Sequence, residues 1–146
     1  MDTMKQSARH SIWVIVSAIT ILSAGYAGPV FSDEVKVALS GGQEIPPVTT
    51  PASGIGTITV GADKSITGSV TVSGMSASVA HIHDAAAGKN GPIVIPLTQS
   101  PDNVWSVPAG VKLTDSQHES YRAGNLYFNI HSAAHKGGEI RGQIKP

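Results

Sequence analysis

The segment Ile66–Ser73 (ITGSVTVS) alternates without a break. Ile66, Gly68, Val70 and Val72 fall on one side, and Thr67, Ser69, Thr71 and Ser73 on the other. A period of two marks a strand with one face in a core. Shorter runs repeat the pattern or its β-branched composition: Val35–Leu39, Gly54–Val60, Val79–His83, Pro92–Leu97, Val104–Val107, Asn125–His131 and Glu139–Lys145. Gly, Pro or an Asn-Gly pair cuts each run off before it can grow. Only one stretch reads as a helix. Thr114 caps it, Gln117 completes a capping box, Asp115 favours the first turn and Gly124 ends it, which places a helix at roughly Asp115–Ala123. About eight short strands and one short helix point to an all-β fold, an antiparallel Greek-key-like β-sandwich, with a closed barrel as the alternative.

The first 27 residues stand apart. Lys5 and Arg9 precede the uncharged run Ile12–Leu22, and the small-residue stretch Ser23–Ala27 follows. This order predicts a secretory signal peptide cleaved after Ala27. The run is short against the ~20 residues that span a bilayer, so no membrane attachment is expected after cleavage. Residues 28–146 are then one domain, periplasmic or secreted.

The chain has no Cys, which excludes a disulfide framework, a thiolate metal site and a Cys nucleophile. Ten basic residues balance ten acidic ones, without the basic excess of a nucleic-acid binder. No nucleophile elbow or phosphate loop is present.

The histidines carry the remaining chemistry. His81 and His83 are two apart on a strand and share a face, with Ile82 turned to the core. His131 ends a strand whose outward set is Tyr127, Asn129 and His131, and His135 follows in the next loop. Brought together, the two clusters would offer three or four imidazoles to one metal. An all-His set in an exported protein fits copper best, with zinc as the second choice. Arg141 lies on the next strand, on the face of Tyr127, Asn129 and His131, where it would attract an anion. Glu139, on the same face, is placed to orient an imidazole N–H.

Three stretches, Leu39–Pro47 (LSGGQEIPP), Ala80–Asp84 (AHIHD) with Gly91–Leu97 (GPIVIPL), and Leu126–Gln143 (LYFNIHSAAHKGGEIRGQ), resemble the CHRD domain, the chordin-type family. The resemblance runs from about Val35 to Ile144. It implies a β-rich extracellular domain and makes a protein-interaction role a live alternative. In outline, the HxH strand, the later histidines and a late Arg are also similar to copper superoxide dismutases. That likeness implies copper on His81, His83, His131 and His135, with Arg141 as a catalytic residue drawing in superoxide. Without a neighbouring zinc set, such an enzyme would be copper-only. Copper storage or buffering without turnover uses the same residues.

Overall fold

The computed structural model describes residues 33–146, and the signal-peptide reading of residues 1–27 lies outside them. Nine strands and one helix follow in order: β1 (Val35–Ser40), β2 (Ser53–Val60), β3 (Ile66–Ser73), β4 (Ala77–Asp84), β5 (Ile93–Pro96), β6 (Thr98–Ser100), β7 (Val104–Ser106), α1 (Asp115–Arg122), β8 (Leu126–Ser132) and β9 (Ile140–Ile144). Every strand pairing is antiparallel. The spatial order is β5-β4-β8-β9-β1-β2-β3-β7-β6.

The two end strands, β5 and β6, are consecutive in the chain and separated only by Leu97. The Leu97 N–H donates to the Ala80 carbonyl at 2.9 Å, and its side chain joins the core. One extended segment therefore pairs with β4 through its first half and with β7 through its second. The sheet rolls back on itself into a sandwich that is nearly a barrel. The seam between β9 and β1 is thin, with Ser40 opposite Arg141 as its one paired position. On either side of that seam the inward faces meet, Val37, Ile58 and Val70 from one side and Ile82, Phe128 and Ile140 from the other.

Strand β3 occupies the span its alternation predicts, with Ile66, Val70 and Val72 buried and Thr67, Thr71 and Ser73 exposed. The run Pro92–Leu97 differs from expectation. It yields only β5, which stops where Pro96 withholds a ladder donor and Leu97 turns to β4, and the chain continues directly into β6, outside the expected run. The helix forms behind the expected cap. The Gln117 N–H donates to Thr114 Oγ1 at 3.2 Å, and the Thr114 N–H donates to Gln117 Oε1 at 2.9 Å. It ends at Arg122, and Gly124 takes the left-handed conformation that closes it, at φ 73°.

Candidate metal centre

Strands β4 and β8 lie side by side, with His81 opposite Asn129, His83 opposite Tyr127 and Val79 opposite His131. On β4 the alternation sends Ala80 and Ile82 to the core and His81 and His83 to the other face. On β8, Leu126, Phe128 and Ile130 fill the core, and Tyr127, Asn129 and His131 share the histidine face. The sequence reads that second set as outward. The structure corrects this, because all three side chains are buried. Three loops cover them. The Gly91 N–H donates to the Tyr127 hydroxyl at 3.1 Å, Asn129 Nδ2 donates to Glu44 Oε2 at 3.4 Å, and His131 Nδ1 lies 2.9 Å from the Lys136 carbonyl.

His81, His83 and His131 converge. Each offers one nitrogen, and the three lie within 4.8 Å of one another. His81 Nδ1 is 3.2 Å from His131 Nε2. Two of the imidazoles are oriented by backbone. His83 Nδ1 lies 2.9 Å from the Gly91 carbonyl, and His131 Nδ1 makes the matching contact with Lys136. A carbonyl only accepts, so in both rings Nδ1 carries the proton and Nε2 keeps its lone pair. His83 Nε2 is buried and has no hydrogen-bond partner. Burial holds the His81 and His83 pKa values below the ordinary imidazole range. For His81 the neighbouring imidazoles add to the effect; for His83 the bond to Gly91 opposes it, while His131 and Arg141 reinforce it. An imidazole held through Nδ1 turns its Nε2 lone pair outward, and that of His83 has no competing partner, which suits a divalent metal.

His135 is not in this cluster. Its loop uses it as a turn residue: its N–H donates to Ser132 Oγ at 3.1 Å, and its carbonyl accepts from Gly138. Glu139 does not orient an imidazole either. Its carboxylate accepts from Thr50 Oγ1 at 2.6 Å and from Ser132 Oγ. Those hydroxyls hold its pKa below the usual range.

Arg141 does sit on the same face, but Tyr127 stands between it and the triad. His83 stacks on Tyr127 from the β4 side, with ring centroids 5.0 Å apart and planes 14° from parallel. From the β9 side, Arg141 Cζ lies 3.4 Å from the Tyr127 ring centroid. Arg141 is only 2% exposed. It donates to Gln143 Oε1 at 3.2 Å, to Asn90 Oδ1 at 3.3 Å and to the Ala86 carbonyl at 3.5 Å. Its charge is felt at His83 without contact.

Glu44 is the residue that sequence reasoning passed over. It is the one acid in Gly41–Pro51 (GGQEIPPVTTP), a stretch that carries the family resemblance and breaks the first strand but offers no periodicity to give Glu44 a direction. In the fold it is 4% exposed. Burial raises its pKa from 4.5 to about 7, against the opposing pull of Arg141 and of its bonds to Asn129 and Ile45. Glu44 Oε1 and Asn129 Oδ1 are both buried acceptors without a donor. Both face Gly138, where a Cβ would come within 2.6 Å of the first and 2.3 Å of the second.

The family model for the CHRD domain matches residues 35–144, which takes in all nine strands and the triad. Comparison with curated proteins and with solved structures returns no match. A family match over that span leaves one assignment: the chain belongs to the CHRD domain family.

Proposed function

We propose that this chain is an exported, extracytoplasmic domain that holds one copper ion on His81, His83 and His131. The observation that carries this reading is the convergence of three imidazoles, two of them fixed through Nδ1 by backbone carbonyls and one with a buried, unpartnered Nε2. Nitrogen–metal bonds of ~2.0–2.1 Å place ligand nitrogens at most ~4.2 Å apart, so small side-chain rotations complete the set. The choice of copper over zinc rests on the all-imidazole donors, the lack of any Cys and the affinity order of divalent metals. His135 joins only if its loop rearranges.

Two activities suit such a site. One is superoxide dismutation, with copper alternating between two oxidation states and Arg141 adding positive potential through Tyr127. The other is copper holding without turnover. The position of Arg141 favours the second, because Tyr127 separates its guanidinium from His83 and its bonds go to neutral groups. The test is a Cu(II) titration of metal-free protein followed by electron paramagnetic resonance. One equivalent bound with nitrogen hyperfine structure, lost in His83→Ala, is the expected result. No stoichiometric site, or an unchanged spectrum in that variant, refutes it. A dismutase rate above that of free copper then separates turnover from holding.

A further inference from the structure

We propose that Arg141 is the base of a second ligand site, separate from the His triad, that takes a small carboxylate with a short apolar tail. A cavity of about 300 Å³ opens between residues 42–45 and 87–88. Gln43, Glu44, Ile45, Ala87, Arg141 and Lys145 are among the residues that border it, and none of the triad imidazoles does. That volume matches the small end of the range for ligand pockets.

The charge at its base has no ion-pair partner in contact. Arg141 is always protonated and almost fully buried. Among the described residues no carboxylate comes within 4.0 Å of it, and its three acceptors are neutral oxygens. A buried cation needs an opposite charge or a full set of acceptors, and this guanidinium has five N–H groups for three acceptors. Stacking on Tyr127 fixes its plane, so a ligand meets donors that are already oriented. Lys145 is exposed at the rim and adds a second positive charge.

The same lining selects the ligand. Glu44 is the one carboxylate on this cavity, and it is turned toward Asn129. Two cations opposite one acid suit a monovalent anion better than a divalent one. A planar carboxylate matches the guanidinium. Ile45 and Ala87 give the wall an apolar part for a tail.

The probe is butyrate, added to metal-free protein at constant ionic strength and followed by amide chemical shifts. Chloride and 1-butanol run as parallel arms. Saturable shifts at Gly42, Gly88, Lys145 and the Arg141 Nε–H, with butyrate alone, are expected. Lys145→Gln should weaken binding about fivefold, the scale of one exposed charge pair. Arg141→Gln, verified as folded by its own spectrum, should abolish it. The titration uses metal-free protein and needs no imidazole ligand, so this site and the copper site fail separately. Absence of saturation, equal shifts with butanol or chloride, or full-strength binding by Lys145→Gln overturns the proposal.

Discussion

Replacing Glu44 by Gln should stabilise the protein at alkaline pH and leave it nearly unchanged at acid pH. The folded chain holds the Glu44 proton up to about pH 7, whereas an unperturbed carboxyl releases it near 4.5. Between those values the folded state binds more protons than the unfolded state, so stability falls as pH rises through the window. At ~1.4 kcal/mol per pH unit, the net cost of carrying the charged form above the window is about 3 kcal/mol. The attraction of Arg141 is already inside that net figure. Glutamine has no charge to desolvate. Its oxygen can still accept from Asn129 Nδ2, and its amide N–H can reach Asn129 Oδ1, which now lacks a donor. Urea unfolding followed through the buried Trp105, measured across the pH range, reads the effect. The gap between variant and parent should open from near zero below the window to about 3 kcal/mol above it. His81 and His83, whose pKa values are lowered, make stability rise with pH toward their unfolded value. That term is common to both proteins and cancels in the difference. Parallel pH profiles, or a variant less stable than the parent on the alkaline side, would refute the reasoning.

Two further outcomes follow from the same face. His135→Ala should retain one equivalent of copper while His131→Ala loses it, as metal content after dialysis will show; loss in both would restore a four-histidine site. Gly138→Ala should destabilise the fold by about 2 kcal/mol or more, because φ is 123° and the new Cβ meets both Asn129 and Glu44; a urea midpoint equal to the parent's would show that these side chains can move aside.

Most of the fold is legible because alternation is local. Strand β3 needs only its own eight residues to declare itself, and the capping box of α1 needs only Thr114 and Gln117. Strand β6 is not legible, since Thr98–Ser100 is short and polar and becomes a strand only by pairing with β7. The triad is legible in parts. The His81–His83 spacing fixes a shared face, and the parity of β8 puts His131 with Tyr127 and Asn129. That His81 and His131 are neighbours depends on β4 pairing with β8 across some fifty intervening positions, which no local pattern encodes. His135 and Glu44 lie in loops, where parity says nothing about direction. Only the covered fold shows one left out of the triad and the other buried against Asn129.

The error over the β8 face has a physical cause with consequences for the site. Polar residues alternating with apolar ones ordinarily mean one wet face and one dry face. Here both faces of β8 are buried, so the alternation separates two interiors of different chemistry. A buried polar side chain requires a partner. Tyr127, Asn129 and His131 each take one from a different loop: the Gly91 amide, the Glu44 carboxyl and the Lys136 carbonyl. These contacts tie the three loops to one strand and bring the loops over the histidine face. Two of these loops also orient imidazoles: Gly91 adds a second contact, its carbonyl to His83 Nδ1, and the Lys136 carbonyl that covers His131 is itself the group that holds its Nδ1. The covering of the face and the orientation of the ligand nitrogens are therefore one arrangement. A substitution that loosens either loop acts on the triad without touching a histidine.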